Sequence, residues 1–148
     1  MDWNLEVVTI PVSDVDRAKA FYADKVGFVV DLDTRIGDGS RLVQLTPPGS
    51  ACSIHLNTGI VDVEPGSARA LHLVVSDVEA ARAGLVERGV DASEVRHFDF
   101  ESGGWVSGPD PERRPFASYV FFSDPDGNGW AVQQIPDYGE GRTQPEGL

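Results

Sequence analysis

One cysteine, three histidines and twelve basic residues are all that the 148 residues contain of these types, and each scarcity excludes something. Cys52 alone cannot form an internal disulfide, which removes the small disulfide-held secreted scaffold. Its place in an apolar-alternating run suits a buried thiol better than a nucleophile. Twelve Lys and Arg against 24 Asp and Glu leave a net charge of −12 and a pI near 4.4. A nucleic acid backbone or an anionic membrane surface would be repelled, so the expected partner is a neutral or cationic small molecule. No apolar run approaches the roughly 18 to 20 residues that span a bilayer. The opening MDWNLE lacks the basic character of an export signal, and the expected location is the cytoplasm.

What the chain does have is a repeat. PVSDVDRAKAFYADKVGF (11–28) is echoed by VVSDVEAARAGLVERGV (74–90), with Val-Ser-Asp-Val unchanged and an offset of 75 − 12 = 63 residues. That is too long for a solenoid unit and suits a duplicated supersecondary module. In the first copy, the β-branched run LEVVTIPV predicts a strand and Ser13, with Asp16 three residues on, predicts a helix cap. Val15, Ala18, Phe21, Tyr22 and Val26 form the apolar stripe of a helix that stops at Gly27. FVVDLD, RLVQLT and CSIHLN then predict three strands separated by the turn segments RIGDGS and PPGSA. The second copy predicts the strand ALHLVV, a capping box of Ser76 and Glu79, a helix ending at Gly89, and later the strands ASYVFFSD and WAVQQI. One domain is expected over 1–135, with module 1 at about 5–57, a linker at 58–69, module 2 at about 70–135, and a polar tail at 136–148.

With PVSDVDRAKAFY and FSDPDGNGWAVQQI in this order, the chain resembles the vicinal oxygen chelate superfamily, the group of glyoxalase I, bleomycin-resistance proteins and extradiol dioxygenases. The resemblance covers Leu5 to Ile135 and implies an α+β fold: two tandem βαβββ modules forming an open, cup-shaped mixed sheet with the helices outside. It also implies a cavity closed between the two modules, and a homodimer. Strand alternation then sends Val8, Ile10 and Val12, or Leu71, Leu73 and Val75, toward the helices. Val7, Thr9 and Pro11, or Ala70, His72 and Val74, face the cavity.

Members of that superfamily that do chemistry usually hold a divalent ion with His, Gln or Glu from the first and last strands of each module. Carried onto this chain, those positions are Val7, Ala70, Ala131 and, counted from Gly49, Ser53. None is an ordinary ligand for such an ion, so no cofactor is expected. An alternative count lays SIHL over the family pattern differently and puts His55 on a ligand position. Thr9, His55, His72 and Gln133 stand one pleat step from the expected metal layer, and they are the candidate ligand-contacting residues. His55 and His72 are also the candidates for acid–base chemistry or a displaced metal site, although no nucleophile is paired with either.

The segment His97 to Phe116 is longer than a hairpin needs and carries Gly103, Gly104 and Trp105, so it is expected to be a lid or ligand platform. Arg113 and Arg114 could meet an anionic ligand, or simply pair with Asp110 and Glu112. Trp130 is expected to point toward the helices. Two functions remain open at this point. One is a metal-free, bleomycin-resistance-like protein that holds an aromatic or cationic small molecule. The other is a lyase, isomerase or dioxygenase with a divalent ion on a non-standard ligand set.

Overall fold

The computed structural model describes residues 1–37, 39–57 and 62–138, so residues 58–61 of the expected linker and most of the expected tail lie outside them. Module 1 comprises β1 (Val7–Pro11), α1 (Val15–Ala20), β2 (Val29–Ile36), β3 (Ser40–Thr46) and β4 (Ser53–Asn57). Module 2 comprises β5 (Leu71–Val75), α2 (Val78–Glu87), β6 (Arg96–Asp99), β7 (Gly104–Ser107), β8 (Ser118–Ser123) and β9 (Gly129–Gln134). The sheets have strand orders β1-β4-β3-β2 and β5-β9-β8-β6-β7, so the second repeats the first with β7 added at its edge. In each, the first strand runs parallel to the last one. This is the α+β architecture of tandem βαβββ modules.

Two local expectations need correction. The helix caps are Asp14 and Asp77, one residue after the predicted serines: their carboxylates accept from Arg17 N at 3.1 Å and Ala80 N at 3.0 Å. Ser13 is occupied elsewhere, and its hydroxyl donates to Asp126 at 2.5 Å. The first helix also widens into a π-wound segment, Phe21–Val26, that ends at Gly27 with φ 92°. The amide of Gly27 reaches back five residues to the Tyr22 carbonyl at 3.0 Å.

One core serves both modules. Ile10, Val43, Leu45 and Leu56 of the first sheet and Val120, Phe122, Trp130 and Val132 of the second pack with Val15, Ala18, Phe21, Tyr22, Val78 and Leu85 of the helical segments. Each large apolar side chain buried here contributes about 1.5–3 kcal/mol. As expected, Trp130 faces the helices; it is 4 % exposed.

The repeated signatures turn out to hold this architecture together. Tyr22 donates to Asp124 Oδ2 at 2.7 Å, and Asn128 Nδ2 donates to the same oxygen at 2.8 Å and to Pro11 O at 2.9 Å. The Asp-Pro-Asp-Gly-Asn turn is thereby bolted to the end of β1 and to the first helix. Every one of these buried groups is satisfied, as burial demands.

The faces of the two sheets turned away from this core are open, and no strand of one sheet pairs with a strand of the other among the described residues. A cleft on the second sheet is lined by residues of module 2.

Candidate functional site

Paired residues on neighbouring strands share a face, and this places the candidate groups. On the open side of the second sheet, β5 contributes His72 and Val74, β9 Ala131 and Gln133, β8 Tyr119 and Phe121, β6 Arg96 and Phe98, and β7 Trp105. Tyr119 is the centre of this group. Gln133 Nε2 donates to its hydroxyl at 2.5 Å and to Phe116 O at 3.1 Å. The His72 ring meets it edge to face at 6.2 Å, Trp105 does so at 5.3 Å, and Phe121 stacks on it at 5.6 Å. Burial pushes the Tyr119 hydroxyl above its ordinary pKa, so it stays a neutral donor at physiological pH.

Phe98 and Phe100 extend the aromatic wall, with ring centroids 5.4 Å apart. Trp105 is 47 % exposed, so its ring lies open to solvent on this face of the sheet. A cleft of about 710 Å³ opens beside it, lined by Ala70, His72, Phe121, Trp130 and Ala131 among others. Ala70 at its rim has φ 56°, a left-handed conformation that costs a residue bearing a Cβ.

Much of the segment expected to be a lid or ligand platform is sheet. Residues 96–107 form the β6–β7 hairpin, with Phe98 opposite Trp105, so Trp105 is held on a strand. The carboxylate of Asp110 is buried and accepts from Arg114 Nε at 2.8 Å and from its backbone N at 2.9 Å. Arg114 is thus committed within its own turn, as the pairing reading expects, whereas Arg113 has no ion pair among the described residues.

On the open side of the first sheet, Thr9 lies beside His55 and His55 beside Gln44. His55 Nε2 is 2.9 Å from Gln44 Oε1, Gln44 Nε2 donates to Asp31 at 3.3 Å, and Thr46 also donates to Asp31. The four predicted polar residues therefore divide into two pairs on two sheets. His72 and Gln133 meet at Tyr119, whereas His55 belongs to the polar network of module 1 and Thr9 stands beside it on β1.

The register also decides between the two counts for His55. Thr9 pairs with His55, and its counterpart 63 residues on, His72, pairs with Ala131. His55 consequently corresponds to Ala131, at 131 − 55 = 76, and not to Gln133. The positions where a divalent ion would be held are Val7, His55, Ala70 and Ala131. One imidazole among three aliphatic side chains does not fit such an ion. No group of three or more His, Cys, Asp or Glu side chains suited to a metal occurs among the described residues.

Sequence reasoning missed Tyr119, Phe121, Arg96 and Gln44. Alternation along SYVFF, taken with Gln133 facing the open side, was signal enough for Tyr119 and Phe121. Arg96 had none, because its aromatic neighbour Trp105 was read as part of a loop.

Residues 4–132 match the family described as the Glyoxalase/Bleomycin resistance protein/Dioxygenase superfamily. Among solved structures, the chain is similar to TnmS3, an antibiotic binding protein from Streptomyces sp. CB03234, at 33% identity over 90% of this chain and 96% of that one, with a TM-score of 0.69. A glyoxalase/bleomycin resistance protein from the same Streptomyces strain is 34% identical over 88% and 100% of the two chains, with a TM-score of 0.66. A member of the superfamily from Sphaerobacter thermophilus DSM 20745 is 26% identical over 90% and 98%, with a TM-score of 0.70. No protein of curated function matches the chain.

Proposed function

Because this chain belongs to the glyoxalase/bleomycin resistance protein/dioxygenase superfamily, we propose that it is a binding protein for a small planar aromatic molecule and works without the divalent ion that catalytic members use. The observation that carries this reading is the open wall of Phe98, Trp105, Tyr119 and Phe121, flanked by His72 and Gln133. Aromatic faces stack on a flat ligand, while His72 and the Tyr119–Gln133 pair supply the few polar groups that orient it. The antibiotic-binding neighbour from Streptomyces supports the same kind of cargo.

The ligand is enclosed when a second copy covers this wall, so the working unit is a homodimer. The outer edges β1 and β5 carry unpaired backbone groups, and Val29 and Leu32 add exposed apolar surface on β2. A cytoplasmic location fits the lone thiol of Cys52; no helix among the described residues is long and apolar enough to cross a membrane.

Titration with planar aromatic compounds, followed by tryptophan emission, tests the proposal. Saturable quenching at one site per chain is expected, and it should survive exhaustive chelation. One tightly held ion per chain, or binding lost on chelation, would overturn the metal-free reading and favour an enzyme of the lyase, isomerase or dioxygenase kind built around His55.

A further inference from the structure

Within the aromatic wall, the Arg96 guanidinium carbon lies 4.8 Å from the Trp105 ring centroid and 4.5 Å from that of Phe121. Arg17, Lys19, Arg41, Arg82 and Arg114 each have a carboxylate partner, whereas Lys25, Arg35, Arg69, Arg88, Arg96 and Arg113 have none among the described residues; of these, Arg96 is the one set against ring faces. Arg96 has no ion pair and no side-chain hydrogen bond among the described residues, in a chain where acids outnumber bases 24 to 12. Its position is therefore set by ring faces and not by an acid.

We infer that Arg96 is the residue that selects the ligand's charge, and that the ligand is a planar aromatic carrying an anionic oxygen group, a carboxylate or phenolate, rather than a cation. This rests on the aromatic-binding reading above. Two of the rings that would attract a cationic ligand, Trp105 and Phe121, already hold one cation, and a second on them would meet it at close range. Stacking satisfies the flat faces of a guanidinium but leaves its N–H edge, whose donors match a carboxylate two at a time, without an acceptor. Covering the wall with a cationic or wholly apolar molecule would strip water from that edge and return nothing. An anionic oxygen restores the lost hydrogen bonds and neutralises the charge. The net charge of −12 disfavours anions in general, so the preference for this ligand rests on Arg96 and not on the field of the whole protein.

Isothermal titration calorimetry of the full chain with 2-naphthoate, 2-naphthylmethanol and 2-naphthylmethylammonium separates the possibilities, since the three share one ring system. Naphthoate is expected to bind about tenfold more tightly than either of the others, a difference of about 1.4 kcal/mol. Arg96→Met should abolish the preference, so that naphthoate and the alcohol bind this variant equally. Arg96→Lys, which keeps the charge without the planar fork, should fall between. Equal binding of all three, or a preference for the ammonium compound, overturns the inference while the aromatic-binding reading stands. If none of the three binds, both fall. If Arg96→Met keeps the naphthoate preference but melts earlier or dissociates in light scattering, Arg96 is a structural clamp or a contact between copies, and the inference is overturned.

Discussion

Trp130 Nε1 donates to the Tyr22 hydroxyl at 2.9 Å, so one hydroxyl group from module 1 is shared between an indole and a carboxylate of module 2. Burial, and after it the Asp124 carboxylate, drives the Tyr22 pKa far above its ordinary value, which keeps the phenol protonated and donating. Tyr22→Phe would orphan the Trp130 donor and remove a donor from Asp124. A loss of about 1–3 kcal/mol of stability is expected, read as a lower denaturant midpoint, with affinity for planar aromatics unchanged. A loss of affinity at unchanged stability would contradict this assignment.

Two backbone positions near the module junction respond oppositely to the presence of a Cβ. Gly66 has φ 80°, and a Cβ there would sit 2.1 Å from the Asp126 carbonyl oxygen, a backbone atom that cannot step aside. Gly66→Ala should therefore cost more than Ala70→Gly gains. The latter relieves a residue at φ 56°, although the added chain entropy of glycine offsets part of the gain. Thermal melts of both variants check the order.

Acid should weaken the segment after β7. Hydrogen bonds from the Arg114 side chain hold the Asp110 carboxyl well below the usual carboxylate range, so the folded state binds this proton less readily than the unfolded chain does. The stability it contributes is full above the unfolded value of about 4 and is lost as pH falls through the folded one. Asp110→Asn should flatten that part of a stability-versus-pH curve. An unchanged acid limb would show that Asp110 carries none of it.

The two candidate histidines should separate in their effects. His72 is exposed and touches the Tyr119 ring. His72→Ala is expected to weaken aromatic binding by about 0.5–1.5 kcal/mol with little change in melting temperature. His55→Ala removes the partner of Gln44 and should lower stability by about 0.5–1.5 kcal/mol. Lower stability with unchanged affinity in both variants would remove His72 from the site.

Assembly is checked by light scattering. A species of twice 16.0 kDa at micromolar concentration is expected, and a persistent monomer would leave the aromatic wall uncovered and contradict closure by a second copy.

Much of this architecture was legible along the chain, because it depends on neighbours in sequence. The repeat, the helix stop at Gly27, the inward turn of Trp130 and the open-side placement of Thr9, His55, His72 and Gln133 all follow from periods of 2 and 3.6 residues. The chain alone also put aliphatic side chains at Val7, Ala70 and Ala131. Caps were misplaced by one residue, since a serine and the aspartate after it can both accept from a helix amide; Asp14 and Asp77 take the role alike, and Asp126, 113 residues away, engages Ser13 in addition. Register between parallel strands was equally unreadable. β1 meets β4 only after the intervening helix and hairpin are folded, and a slip of two residues keeps every side chain on the same face. That slip alone decides whether His55 corresponds to Ala131 or to Gln133. The β6–β7 hairpin, and with it the seating of Arg96 between Trp105 and Phe121, came from tertiary structure alone, because glycines and polar residues that resemble a loop become an edge strand only once a neighbouring sheet offers them hydrogen bonds.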